Sequence, residues 1–363
     1  MSKCQHIEGV PLQPAVAARL HTVYLSKGVH GTASIEGNTL SEEEVRERIE
    51  GDLALPKSRE YLGREIDNII EISNEIWQDA VATPDLPLSA ERICEFNRKL
   101  LDGLPLKPEV VPGETRGHSV TVGISSYRGA PAEDCDYLLE KLADWLNAGL
   151  VAPPDRPELK FPIAVLKAIM AHLYLAWIHP FGDGNGRTAR LIELQLMVQA
   201  GAPIPTAHLL SDHYNRTRDP YYIELDKTSR DPGYPVESFI QYALQGFVDE
   251  LRDQIDDVRE QQFEVTWQNY VHDMYRNEET PAKTRQRHLV LDMEPDKLYA
   301  KSEIPDVSTR VAREYAGKES KTVTRDLNEL RHKKLVTRVG TKYRANRSVI
   351  AAFLPAVAKL DDE

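Results

Sequence analysis

The chain has 363 residues, 41% hydrophobic and 28% charged, with a formal net charge of −12. That length carries two or three domains with real cores. The absence of an N-terminal apolar run or a long apolar segment argues against a signal peptide or a membrane span. Charge is uneven: residues 281–363 hold 18 Lys+Arg against 12 Asp+Glu, and residues 1–280 hold 27 against 45. An acidic body with a basic C-terminal module points to two partners of different character. Cys4, Cys94 and Cys135 have no metal-ligand spacing, which fits a reduced cytoplasm.

Residues 14–36 read as a helix, and Gly37-Asn38 is a good C-terminal stop. Ser41-Glu-Glu-Glu44 opens the next helix with a capping box. A proline-interrupted loop follows, then a long helix from Ser58 with Ile66, Ile69, Ile70, Ile72 and Ile76 as its buried face. Residues 83–90 are a Pro-containing linker, and Ser89 caps a helix to about Leu101. Pro105 to Arg116 is loop. His118-Ser-Val-Thr-Val-Gly123 alternates polar and apolar, and with Tyr127-Arg-Gly-Ala-Pro131 predicts a short β-hairpin. Asp134 to Leu150 is helix again.

The densest chemistry lies in His179-Pro-Phe-Gly-Asp-Gly-Asn-Gly-Arg-Thr-Ala-Arg190, between two stretches that are apolar at helical spacing. A tight turn with three glycines lets a ligand approach its amides, and the following helix adds unpaired N–H groups and a positive dipole end. Such a place binds phosphate. Arg187 and Arg190, three apart, share a face of that helix's first turn. A G-x-x-x-x-G-K-[ST] phosphate loop would need one more residue and a lysine. A calcium loop would want a later glycine and a distal Glu. An ordinary helix–helix turn would not gather a base, an acid, an amide and two arginines.

Beyond the loop, Tyr221-Tyr222 divides between core and surface, and Tyr222 is the candidate wall of an adenine pocket. Val236 to Gln262 reads as a long helix, and the charged stretch to about residue 282 as a linker. Ser320 to Lys334 is a basic helix with Val323, Leu327 and Leu330 inside, followed by a strand–turn–strand over Leu335 to Arg344. This resembles a winged helix-turn-helix, with Arg325, Arg331, Lys333 and Lys334 facing phosphates and Thr322 or Asn328 a base edge. A winged helix used for protein contact or dimerisation fits the same residues.

The motif H-P-F-x-D-G-N-G-R-x-x-R, matched at every specified position from His179 to Arg190, resembles the signature of the Fic family. The resemblance covers about residues 89–250 and implies a protein adenylyltransferase. The expected fold is mainly α: a helical core with a small β-hairpin flap, plus the C-terminal winged helix. The implied division is 1–88, an N-terminal inhibitory region, 89–272, the catalytic core, and 273–363, the winged helix. His179 would take the proton from a target Ser, Thr or Tyr hydroxyl, and Phe181 would anchor the loop. Asp183 would hold magnesium on ATP. Gly182, Gly184, Asn185 and Gly186 would line the anion hole, Arg187 would touch the phosphates, and Arg190 the γ-phosphate. Thr32-Ala-Ser-Ile-Glu-Gly-Asn38 resembles the family's inhibitory motif, with Glu36 pairing Arg190 and Thr32 at its start. Residues 118–131 would be the flap that holds a target protein by strand addition. The family leaves other outcomes open: AMP removal, transfer of phosphate or phosphocholine, or a nucleotide sensor whose C-terminal module binds DNA. A target protein, DNA or a protein at the C-terminal module, and a second copy of the chain are the candidate partners; a membrane is not.

Overall fold

The computed structural model describes residues 14–84, 86–122, 127–230, 233, 235–278 and 280–351. The chain is mainly helical and divides into two compact units, Met1–Asp257 and Val258–Glu363. The division falls inside a long helix, and residues 14–88 share the first unit with the loop region.

The first unit runs α1 (Pro14–Ser34), α2 (Glu42–Glu50), α3 (Glu60–Ala82), α4 (Ala90–Leu100), β1 (Thr121–Val122), β2 (Tyr127–Arg128), α5 (Cys135–Ala148), α6 (Lys160–Ile178), α7 (Asn185–Gln199), α8 (Ile204–Ala207), α9 (Leu209–Arg216), α10 (Arg218–Arg230) and the first part of α11 (Glu237–Met274). At its centre α6 packs along α7, and α1, α3 and α4 close over the other sides of α7. Every residue of α7 from Arg187 to Val198 is buried, which is how an interior helix differs from a one-sided surface helix. Fully burying each of its leucines and isoleucines contributes about 1.5–3 kcal/mol. The segment Pro157–Ile178 is long and apolar enough to cross a membrane, contrary to the expectation of no long apolar run. Here half of it is buried within the fold, as the core partner of α7.

Caps read in the sequence form as expected. Ser41 Oγ accepts from the Glu44 amide while Glu44 accepts from the Ser41 amide, and Ser89 Oγ accepts from the Arg92 amide at 3.2 Å. In α1, close packing depends on glycine. A Cβ on Gly28 would stand 2.3 Å from His208 Cβ, and one on Gly31 2.7 Å from the Ser211 carbonyl oxygen. Those two positions let α1 lie directly on α8 and α9. That docking sets where the chain after Ser34 begins.

The second unit contains the rest of α11, then α12 (Pro281–Asp292), β3 (Tyr299–Ala300), α13 (Thr309–Tyr315), α14 (Ser320–His332), β4 (Val336–Val339), β5 (Lys342–Ala345) and α15 (Ser348–Ala351). Its antiparallel sheet has the order β3-β5-β4, with Tyr299 opposite Tyr343 and Arg338 opposite Tyr343 on the other side. The stretch read as an irregular linker after Gln262 is in fact helix to Met274. Trp267, Val271 and Tyr275, four residues apart, are buried in this unit's core with Leu289, Leu327 and Leu335. Interleaved polar residues, half of the stretch from Phe263 to Met274, masked that stripe.

Candidate nucleotide site

The turn between α6 and α7 is built by its own polar residues. Asn185 Oδ1 accepts from the Phe181 amide at 2.9 Å, and its Nδ2 donates to the Phe181 carbonyl at 2.8 Å. The Asn185 side chain is thereby spent on the loop, which leaves its main-chain amide, not its carboxamide, for an anion. Phe181 is 1% exposed and forms an isolated bridge with Thr115. Asn97 of α4, fully buried, donates to the Asp183 carbonyl at 2.9 Å and accepts from the Gly113 amide at 3.0 Å. Gly184 caps α7 with φ +79, a left-handed angle that suits glycine.

His179 ends α6 in the left-handed region, φ +49 and ψ 56. Burial lowers its imidazole to about 4, opposed by the Ala176 carbonyl and the Glu36 and Asp183 carboxylates and reinforced by the Arg116 charge. The ring is therefore neutral at pH 7. A neutral imidazole can accept a proton.

Arg190 is fully buried, and its Nη2 donates to Glu36 at 2.7 Å and to the Thr32 carbonyl at 2.9 Å. Its Nε and Nη1 have no hydrogen-bond partner among the described residues. The Glu36 carboxylate lies against the start of α7: a Cβ on Gly186 would meet Glu36 Oε1 at 2.1 Å. A carboxylate at a helix N-terminus stands where that dipole favours negative charge. Burial by itself would raise the Glu36 carboxyl, but Arg190 and then Arg187 outweigh it and hold it below its ordinary value. It is ionised.

Arg187 is nearly buried between two carboxylates, Glu65 on α3 and Asp183 at 2.7 Å. Glu65 in turn accepts from Asn38 Nδ2 at 2.8 Å, and Asn38 also donates to the Leu62 carbonyl at 3.1 Å. Arg218 donates to the Ile35 carbonyl. The segment 32–38 is thus held by several partners besides the Glu36–Arg190 pair: the Thr32 carbonyl accepts from Arg190, Asn38 donates to Glu65 and Leu62, and the Ile35 carbonyl accepts from Arg218 and Tyr222. Asp183 Oδ1 takes the Gly184 amide and Arg187, while Oδ2 has no partner among the described residues and the side chain is about half exposed. No group of three or more His, Cys, Asp or Glu side chains suited to a metal occurs among the described residues. A hard divalent cation held by one carboxylate and substrate phosphates fits that donor set.

The hairpin pairs Thr121 with Arg128 and Val122 with Tyr127, and residues 123–126 at its tip lie outside the described residues. Tyr221 is buried, with its hydroxyl 2.8 Å from His172 Nε2, whereas Tyr222 is 45% exposed and reaches the Ile35 carbonyl at 3.4 Å. The division between core and surface is as the sequence suggested.

Sequence reading missed Glu65, Asn38, Asn97 and Arg116. Only Glu65 carried a signal, a carboxylate set on the apolar stripe of α3 beside Leu62, Ile66 and Ile69. In the second unit Lys333, expected to face phosphates, instead pairs with Glu278 at 2.9 Å and lies over the Tyr275 ring.

An interior helix entered through a polar, glycine-rich turn, with a neutral imidazole before it and two buried arginines in its first turn, has the chemistry of an anion site. Residues 87–197 match the model of the Fic/DOC family, and that segment is a Fic domain. The chain is 31% identical over 178 residues to protein adenylyltransferase fic-1 of Caenorhabditis briggsae, which spans 48% of this chain and 32% of that protein. It is 26% identical over 222 residues to protein adenylyltransferase Fic of Nematostella vectensis, 61% of this chain and 47% of that protein. The chain thus spans about a third to a half of these curated relatives. A Fic family protein from Desulfovibrio desulfuricans G20 shares the fold over 94% of this chain and 93% of its own, with a TM-score of 0.55 and 18% identity.

Proposed function

We propose that the protein transfers AMP from ATP to a hydroxyl of a target protein and is held inactive by Glu36. The observation that carries this is the convergence of His179, Asp183, Arg187, Arg190 and the start of α7 on one place, with the Glu36 carboxylate seated in it. The curated relatives named adenylyltransferases support the reaction class. In this reading a Ser, Thr or Tyr oxygen bonds to the α-phosphorus, its proton passes to His179, and the bond to the β-phosphate oxygen breaks. Pyrophosphate leaves. Arg187 and Arg190 meet the charge on the phosphates, and the amides of Asn185 and Gly186 supply fixed donors. Magnesium, held by Asp183, would neutralise part of that charge. Tyr222, exposed on α10, is the proposed adenine contact, and the β1–β2 hairpin the proposed target edge.

The test uses wild type and Glu36→Gly with magnesium and ATP labelled at the α- or the γ-phosphate. Protein labelled from the α position alone, and more strongly in the variant, is expected. Label from the γ position alone would make the reaction kinase-like and remove the role of Arg190. An equal or lower rate in the variant would reject the clamp.

Glu36 favours a second reading of the same site. An ionised carboxylate facing the loop is placed to orient water, which would make AMP removal the reaction; loss of AMP from a modified target by wild type but not Glu36→Gly is its signature.

For the second unit we propose a winged helix that binds duplex DNA. Its support is charge segregation on α14: Asp326 and Glu329 turn inward to Arg285 and Lys283, while Lys321, Arg325, Asn328 and Arg331 are exposed. Binding of duplex by the full chain tests it, and absence of binding removes the reading.

A further inference from the structure

We propose that Arg116 is the positioning residue for the base: its guanidinium ties both legs of the β1–β2 hairpin to the main chain of Ile178 and His179, fixing the imidazole relative to whatever the hairpin holds. The inference rests on the reading of His179 as the base. Arg116 is 4% exposed. Its Nε donates to the His179 carbonyl at 2.7 Å, Nη1 to the His118 carbonyl at 2.7 Å, and Nη2 to the carbonyls of Ala130 at 2.5 Å and Ile178 at 3.3 Å. Residues 118 and 130 lie before β1 and after β2, so one side chain spans the base of the hairpin and the end of α6. Main-chain bonds run parallel to it, from the Arg116 amide to the Pro180 carbonyl at 2.8 Å and from the Ala130 amide to the Ile178 carbonyl at 3.2 Å.

Two features set this arrangement apart from ordinary packing. First, the guanidinium makes no ion pair among the described residues, and carbonyl dipoles alone offset its desolvation. A buried, unpaired charge is expensive, and an apolar side chain would fill the space at less cost. Second, the surroundings are cut to fit. A Cβ on Gly129 would stand 2.9 Å from Arg116 Nη2 and 3.0 Å from His179 Cβ, so a side chain there would push on both the guanidinium and the histidine. His179 itself sits at φ +49, where a non-glycine residue persists only if its neighbours hold it. Arg116 holds its carbonyl. The charged groups facing the imidazole are Arg116, Glu36 and Asp183, and the first alone disfavours the imidazolium.

The experiment compares Arg116→Lys, Arg116→Gln and Gly129→Ala. Each is read by kcat and KM for AMP transfer in a Glu36→Gly background, and by the NMR titration of the His179 ring, assigned with His179→Gln. Arg116→Lys keeps the charge but not the fork. It should titrate like wild type and lose kcat, on the order of 10²-fold, with KM for ATP little changed. Arg116→Gln should lose kcat and also move the His179 titration to higher pH. Gly129→Ala, with the arginine intact, should lower kcat in the same way. A lowered melting temperature with unchanged kcat and titration in all three would make Arg116 a structural residue and overturn the proposal. Because the titration needs no turnover, a protein that transfers nothing yet shows the Gln shift would sink the adenylyltransferase reading and leave the Arg116–His179 link standing.

Discussion

Glu36 keeps its charge in surroundings that would otherwise remove it, and His179 loses its charge in the same small volume. Both pKa values move down, and both shifts have one sign in stability. A histidine whose folded pKa is depressed binds its proton more readily when unfolded, so its contribution is full above about 6.5 and lost as pH falls toward the folded value. His179 and His208 both lie at about 4 when folded, each chiefly through burial. Each pKa unit is worth about 1.4 kcal/mol. The melting temperature should therefore fall steadily between pH 6.5 and 4. Glu36, whose pKa is lowered, adds a further loss below the ordinary carboxylate range. Melting curves across that range check this. His208→Gln should flatten part of the slope, and an unchanged slope would deny His208 its share. The loop chemistry was legible because it is contiguous from His179 to Arg190. Asn97 and Arg116 were not, because their partners lie 86 and about 60 residues away, and Glu65 showed only as a carboxylate on an apolar stripe, with its partner Arg187 122 residues away.

Among the elements, α1 is the one whose packing sets where the segment 32–38 meets the loop. Its end delivers Thr32, Glu36 and Asn38 to Arg190 and Glu65, and its course depends on Gly28 meeting His208. Gly28→Val should overpack that contact at a cost of about 1–3 kcal/mol. It should also raise AMP transfer, since a displaced α1 no longer presents Glu36. Reduced melting temperature with transfer unchanged would show that the clamp does not depend on this docking. Sequence periodicity found most helices and their caps, since Ser41 and Ser89 act within their own first turns. It stopped α11 too early because polar residues make up half of the stretch from Phe263 to Met274 and break up its apolar pattern. It also placed Lys333 outward, since nothing near residue 333 announces Glu278.

For the whole molecule, the net charge of −12 opposes binding to nucleic acid, and only the segment 281–363, at +6, favours it. Any duplex binding should then be strongly salt-dependent and localised. Replacing Arg325 and Arg331 together by alanine should reduce the slope of log K against log salt by roughly 2, about one per lost phosphate contact. Binding that ignores both salt and these arginines would assign the second unit to a protein partner.

The carboxylate over Gly186 has a thermodynamic corollary. In the proposed reading Glu36 and a phosphate compete for that space, and the segment 32–38 would act as a tethered competitor of the nucleotide. Whatever free energy its engagement adds to the resting fold is subtracted from the apparent affinity for ATP. Releasing it should make the ligand-free protein melt earlier and the nucleotide bind more tightly, by the same amount. If the proposed inhibition holds, the protein's stability at rest and its silence would be one quantity, measured from two sides.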